Sequence, residues 1–140
     1  MQVADSYPVF VTEALKECRD FYANFLDFEV VFEALWFVLL SSGGERPVSL
    51  AFMHPEHPSS PPTPGAFRGD GAFFTLQVED AGAEYETVVG RGLQCDLPLR
   101  DEPRGQRRFG VTDPAGVWLD VVEQIQPEDG WWDPYLGEQA

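Results

Sequence analysis

Two strand-like runs joined by a tight turn occupy residues 107–123, which read RRFGVTDPAGVWLDVVE. The runs Arg107–Thr112 and Val117–Glu123 are rich in Val and Phe, which favour strands. Between them stands Asp113-Pro114-Ala115-Gly116, whose Asp, Pro and Gly are typical of tight turns. The stretch therefore predicts two strands that enter and leave one turn.

Outward from this turn, the same order of elements occurs twice. The second copy begins with a strand at Gly71–Glu79, a helix at Asp80–Gly90 capped by Asp80, and a strand at Gln94–Arg100. The first copy has a helix with apolar residues spaced by three and four. Its elements are the strand Tyr7–Thr12, the helix Glu13–Leu26, and the strands Phe28–Glu33, Leu35–Ser41 and Val48–His54.

The repeat predicts an α+β fold of two tandem βαβββ modules. Because neither small sheet can bury its face alone, we expect a curled mixed sheet with a concave ligand cleft. A single domain over 1–140 would consist of module 1 at about 7–54, a linker at about 55–70, module 2 at about 71–124 and a tail at 125–140. The linker holds five of the chain's 12 prolines, which disfavour both helix and central strand.

Composition excludes several classes of protein. A hydrophobic fraction of 44% with 11 Phe, 4 Tyr and 4 Trp excludes a disordered chain. The 24 acidic and 9 basic residues, a net charge of −15, would repel nucleic acid, whereas a cationic or neutral small molecule is compatible. No apolar run reaches the length of a membrane span and no signal peptide is visible, so we expect no membrane partner and a cytoplasmic protein. The distant Cys18 and Cys95 predict no disulfide framework.

Two motifs stand in the order found in a known superfamily. Phe21-Tyr22 followed by Phe25-Leu26-Asp27-Phe28-Glu29 resembles a helix-end signature that usually ends in Leu-Gly-Phe-Glu, and Asp113–Gly116 resembles an Asp-Pro-x-Gly turn. Together they resemble the glyoxalase/bleomycin-resistance/dioxygenase superfamily, also called vicinal oxygen chelate. The spacing Arg107-x-Phe109-x-Val111-x-Asp113 and the opening Pro8-Val9-Phe10 look like the bleomycin-resistance proteins in particular.

The resemblance implies positions at which the superfamily's enzymes hold a divalent metal. In this chain those positions fall on Tyr7, Phe73, Asp120 and the run Leu50-Ala51-Phe52. One carboxylate and one phenol do not provide the three or four converging ligands that such an ion needs. We therefore predict no metal, no cofactor and no catalytic residue, which favours a non-enzymatic protein but leaves an enzyme with an unusual site as an alternative.

Aromatic residues occupy the predicted cleft instead. Alternation along the strands places Thr75 with Phe73, and Trp118 with Asp120. Trp36 is the first choice for stacking on a ligand, because Phe32 and Phe37 flank it. The full set of predicted ligand-binding residues is Tyr7, Phe32, Trp36, Phe37, Phe73, Thr75, Arg108, Phe109, Trp118 and Asp120.

Three further features each allow two interpretations. His54 and His57, with Glu56 between them, form either a small metal or acid–base site or a polar loop, and we favour the loop. The basic stretch Arg100–Arg108 either clamps an acidic or carbonyl-bearing ligand or pairs with acidic side chains, and we favour pairing. Trp131 and Trp132 in the tail would pack on a partner subunit or cover the pocket.

The leading functional hypothesis is non-catalytic binding and sequestration of a hydrophobic, aromatic antibiotic or related natural product, giving self-resistance. A polycyclic or enediyne-type compound is the preferred ligand, and the resemblance implies a homodimer whose modules pair across subunits. One alternative is a lyase or dioxygenase with a displaced metal site of Asp120 and His54 or His57. Another is a metal-free catalyst that uses Tyr7 or Asp120 as acid or base.

Overall fold

The computed structural model of the chain describes residues 1–58 and 65–137. It divides into two compact units. The first unit contains Met1–Ala72 together with Asp113–Val117, and the second contains Phe73–Thr112 and the chain from Trp118 onward. Of the predicted linker at 55–70, residues 59–64 lie outside the described part.

The first unit is a four-stranded mixed sheet with one helix. Its elements are β1 (Val9–Val11), α1 (Leu15–Leu26), β2 (Glu29–Glu33), β3 (Phe37–Ser41) and β4 (Ser49–Met53). The strand order is β1-β4-β3-β2, with β1 parallel to β4 and the other neighbours antiparallel.

The second unit repeats this topology. Its elements are β5 (Phe74–Gln77), α2 (Ala81–Gly90), β6 (Leu97–Glu102), β7 (Gln106–Thr112) and β8 (Trp118–Gln124). The order β5-β8-β7-β6 matches the first sheet strand for strand, again with one parallel pair. The predicted α+β fold with two tandem βαβββ modules is confirmed. Predicted and observed element ends differ by up to three residues, because the ends of ladder hydrogen bonding do not follow composition.

Aromatic side chains form the core between α1 and the first sheet. Tyr22 is fully buried, and its ring meets those of Phe28 and Phe52 at centroid distances of 5.5 and 5.6 Å. The helix ends at Asp27, which adopts the left-handed region at φ 58°. This is the position at which the resembled signature usually has Gly, and a short polar side chain tolerates that backbone better than most.

The turn at residues 113–117 belongs to the first unit and is held by one buried carboxylate. Asp113 Oδ1 accepts hydrogen bonds from the backbone N–H groups of Ala115 and Val117, at 2.8 and 2.9 Å. Its Oδ2 accepts a hydrogen bond of 2.7 Å from the Tyr22 hydroxyl. Burial raises the pKa of the Asp113 carboxyl and, with Asp113 nearby, that of the Tyr22 hydroxyl. Burial also raises the pKa of the neighbouring Cys18 thiol to about 12.

The second unit buries one face of its sheet under α2. Phe109 packs edge-on against Tyr85 of the helix, at a centroid distance of 5.3 Å. Asp80 caps α2 as predicted, since its Oδ1 accepts a hydrogen bond from the N–H of Ala83. No helix among residues 1–58 and 65–137 is long and apolar enough to cross a membrane.

The tail packs on the second unit itself. A single turn of 3-10 helix, Asp133–Tyr135, brings Trp131 against Trp132 and Tyr135. The Trp132 indole N–H donates a 2.7 Å hydrogen bond to the carbonyl of Arg104. The tail therefore has an anchor within its own chain.

Candidate functional site

The strongest candidate site lies on the open face of the second sheet, the face away from α2. Phe109 and its cross-strand partner Val121 face the helix, so the neighbouring pair Gly110 and Asp120 faces the other side. Thr75 stands opposite Asp120 on β5 and shares that open face. Arg108 and Trp118 lie two residues from Gly110 and Asp120 and point the same way.

The Trp118 indole occupies the space directly over Gly110. A Cβ atom on Gly110 would lie 2.0 Å from Cζ2 of that ring and 2.7 Å from Cε2 and Cη2. Glycine is therefore required here because any side chain would displace the indole. The ring remains partly exposed, so it offers an aromatic surface to a ligand.

Next to this ring is an ion pair between Arg108 and Asp120. Arg108 Nη1 lies 3.4 and 3.3 Å from the two carboxylate oxygens of Asp120, whose side chain is only 6% exposed. Arg108 Nε also lies 3.4 Å from Oε1 of Glu102. Because loss of Arg108 would leave the Asp120 carboxylate buried without a charged partner, the pair is expected to persist.

Glu102 also contacts two other arginines of the basic stretch, while Arg107 pairs with Asp101. Glu102 contacts Arg100, and its Oε2 lies 3.6 Å from Nη1 of Arg104. Arg100, followed by Arg108, lowers the pKa of the Glu102 carboxyl below its usual value. The arginines of this stretch therefore pair with acidic side chains, which is the interpretation that the sequence favoured.

Of the four predicted aromatic residues of the first unit, Tyr7 and Phe32 are exposed and Trp36 and Phe37 are half-buried. Tyr7 precedes β1 and is 46% exposed. Phe32 and Phe37 lie on the face of the first sheet away from α1, with ring centroids 6.4 Å apart. Trp36 is different, because the His57 ring stacks on it at 3.5 Å and 11°. One face of the indole predicted to stack on a ligand is thus already covered.

In the second unit, the predicted residue Phe109 is not available to a ligand. It is 1% exposed and faces α2, whereas its neighbour Arg108 faces the open side. Consecutive residues of a strand point to opposite faces, so only one of this pair can line the site. Phe73 precedes β5 by one residue, is 62% exposed and lies two residues from Thr75.

The residues at the implied metal positions do not fit a divalent ion. Leu50, Ala51 and Phe52 are fully buried and apolar, and Phe73 has no donor atom. The Asp120 carboxylate is engaged by Arg108. Within the described ranges, no three His, Cys, Asp or Glu side chains are grouped as metal ligands would be.

The first unit also has a cleft that the sequence did not indicate. It has a volume of about 390 Å³ and opens on the α1 side, beside the bend between β2 and β3. Leu35 at this bend is 99% exposed. The lining residues are Leu15, Lys16, Glu33, Ala34, Leu35 and Val38. Glu33 is held by Arg19, whose Nη1 donates to it at 2.6 Å.

Comparison with known proteins gives the family of this chain. A family model described as the Glyoxalase/Bleomycin resistance protein/Dioxygenase superfamily matches residues 6–121. The chain belongs to this superfamily. A search among curated proteins returned no significant match.

Several solved structures of the superfamily share the fold. A glyoxalase/bleomycin resistance protein/dioxygenase from Nocardioides is 17% identical, with a TM-score of 0.71 over 98% of this chain and 91% of that one. A superfamily member from Sphaerobacter thermophilus is 25% identical, with a TM-score of 0.66 over 87% and 98%. A lactoylglutathione lyase from Agrobacterium tumefaciens is 19% identical, with a TM-score of 0.62 over 87% and 94%.

Within this superfamily fold, sequence reasoning missed two residues of the site. Gly110 creates the space for the Trp118 ring, and Glu102 joins three arginines. The alternation of β7 from Arg108 is enough to place Gly110 on the open face. Glu102 could not be placed in the same way, because β6 changes register relative to β7 between Leu97 and Arg100.

Proposed function

We propose that this protein binds and sequesters a hydrophobic, aromatic small molecule without changing it chemically. An antibiotic or related natural product is the ligand class, as the resemblance to bleomycin-resistance proteins suggests. The observation that carries the proposal is the position of the Trp118 ring beside Arg108 and Asp120 on an open sheet face. An aromatic surface with a few polar groups is the usual composition of a small-molecule site.

The state of Asp120 supports binding rather than acid–base chemistry. A general base needs a free carboxylate within reach of the substrate proton. Here the carboxylate is largely buried and both of its oxygens contact the Arg108 guanidinium, so it is not free to meet a substrate proton. The same pair still provides a fixed polar group that orients a ligand.

Burial of aromatic surface is enough to explain useful affinity. A planar ring system that removes about 150–250 Å² of apolar surface from water gains roughly 4–6 kcal/mol at about 25 cal/mol per Å². Ring stacking adds about 0.5–1.5 kcal/mol, and the cost of association offsets part of the total. A net gain of about 4–7 kcal/mol corresponds to a Kd of roughly 10 μM to 1 mM.

Tryptophan fluorescence titration with polycyclic quinones tests the proposal. We expect quenching with a Kd of roughly 10 μM to 1 mM and recovery of the unchanged compound, as judged by mass spectrometry. Trp118→Ala should weaken binding roughly 10- to 100-fold. Trp132→Ala, in the tail, is the control and should bind normally. A converted product would instead identify an enzyme.

The same titration decides between the two candidate indoles. Trp36 was the sequence's first choice, but His57 already covers one face of its ring. We therefore expect Trp36→Ala to weaken binding less than Trp118→Ala. A larger loss of affinity in Trp36→Ala than in Trp118→Ala would show that the site lies in the first unit.

A further inference from the structure

The open face of the second sheet carries a cluster of arginines in a chain of net charge −15. Arg100, Arg104 and Arg108 face two carboxylates, those of Glu102 and Asp120. Of these groups, Arg108 and Asp120 lie next to the Trp118 ring. The cluster therefore places guanidinium groups, rather than free carboxylates, beside the aromatic surface.

We infer that Arg108 binds an ionised acidic group of the aromatic ligand, so that the ligand class is an aromatic acid. This inference rests on the proposed function and specifies its ligand. A cation, which the overall charge of the chain would attract, is disfavoured at this face because both of its carboxylates already have arginine partners.

The contacts of Arg108 leave it capacity for another acceptor. Its three contacts to Asp120 and Glu102 are 3.3–3.4 Å long, well above the 2.7–2.9 Å of a strong charge-assisted hydrogen bond. Its Nη2 makes no hydrogen bond to any described residue, and its side chain is 20% exposed. A carboxylate oxygen of a ligand can therefore be bound without breaking either existing pair.

The preceding residue, Arg107, contacts its carboxylate partner more closely than Arg108 does. Arg107 donates from Nε to one oxygen of Asp101 at 2.7 Å and from Nη2 to the other at 3.2 Å. It lies on the α2 side of β7, away from the Trp118 ring. Arg107 is thus an arginine adjacent to Arg108 whose side chain lies on the opposite face of the sheet. It is therefore the control for any test of Arg108.

Three probes that differ in one substituent test the inference. Anthraquinone-2-carboxylate is anionic, anthraquinone-2-carboxamide is neutral and 2-(aminomethyl)anthraquinone is cationic at neutral pH. We expect the carboxylate to bind the wild-type protein at least 10-fold more tightly than the carboxamide, and the cation to bind most weakly. Equal binding of carboxylate and carboxamide would overturn the inference but leave the proposed function intact. Failure of all three to bind would overturn the proposed function as well.

Substitutions test whether Arg108 causes the preference for the carboxylate probe over the carboxamide probe. The double substitution Arg108→Gln with Asp120→Asn removes the pair together, so that no buried charge is left alone. It should reduce the carboxylate-over-carboxamide ratio to about one while the carboxamide still binds. Arg107→Gln should retain the ratio of the wild-type protein. Loss of the ratio in Arg107→Gln, or its survival in a folded double variant, would contradict the role of Arg108.

Discussion

At the residue scale, the contact between Tyr22 and Asp113 explains why two sequence motifs occur together. Tyr22 belongs to the helix-end motif and Asp113 to the turn motif, 91 residues later, and the two meet through one buried 2.7 Å hydrogen bond. Asp113 uses both carboxylate oxygens, one for its own turn and one for the helix. The two motifs are therefore halves of one structural feature.

Tyr22→Phe should destabilise the protein by about 1–3 kcal/mol, because Asp113 would lose a buried donor to a charged acceptor. Chemical denaturation measures the change. Tyr85→Phe is the matched control, since the Tyr85 ring also packs on a phenylalanine while its hydroxyl makes no hydrogen bond to a described residue. That control should change stability by less than about 0.5 kcal/mol. Equal effects of the two variants would show that the hydroxyl of Tyr22 contributes nothing.

Asp113 should also make stability depend on pH. Burial raises the pKa of its carboxyl in the folded state above the usual 3.8. The folded state then binds more protons than the unfolded state between those two values, so this group's contribution is complete below about pH 4 and declines as pH rises through the folded pKa. Asn at this position cannot titrate.

The difference in unfolding free energy between wild type and Asp113→Asn isolates that effect, because other groups cancel. We expect the wild type to lose stability relative to the variant as pH rises from about 4 toward 7. A difference that grows with pH would mean that the hydrogen bonds to Asp113 outweigh its burial.

At the element scale, β7 shows how far sequence patterns reach. Its alternation separates Arg107 and Phe109, on the α2 side, from Arg108 and Gly110, on the open side. Composition predicted the strand. The alternation of side chains along it would have excluded Phe109 from the face that carries Arg108. The contacts of Arg108 could not be predicted, because they depend on the register between β6 and β7 and on side-chain conformations.

Gly110→Ala tests whether the absence of a side chain on β7 at this position is what positions the Trp118 ring. The added methyl would collide with the Trp118 ring, so we expect a loss of about 1–3 kcal/mol in stability, a shifted Trp emission spectrum and weaker quinone binding. Gly90→Ala is the control, since nothing lies within 4 Å of a Cβ there. Its stability should be unchanged or slightly higher, because Ala favours helix. Normal Trp emission and binding in Gly110→Ala would show that the ring adapts without consequence.

At the scale of the whole molecule, several large apolar side chains remain exposed on the single chain. Val31 and Phe32 on the edge strand β2 are 59% and 56% exposed, and Leu35 follows them. An unpaired apolar edge favours association with another chain. We therefore retain the proposal that the protein forms a homodimer.

Sedimentation equilibrium should give twice the chain mass of 15.7 kDa at micromolar concentration. Val31→Lys places a charge on the exposed edge and should shift the equilibrium toward monomer if β2 takes part. Val3→Lys, at an exposed position outside any strand, should have no effect. A monomeric wild-type protein would contradict the proposal, and a dimer unaffected by Val31→Lys would place the interface elsewhere.

The membership of residues 113–117 in the first unit has a consequence for synthesis on the ribosome. The amino-terminal 72 residues emerge first, but the acceptor for the buried Tyr22 hydroxyl is translated 91 residues after it. At roughly 5–20 residues per second, that delay is on the order of 5–20 s. During this time the nascent helix has a polar group that its core cannot satisfy. The first module therefore cannot finish folding when its own 72 residues have emerged, and its completion must wait until most of the second has been translated.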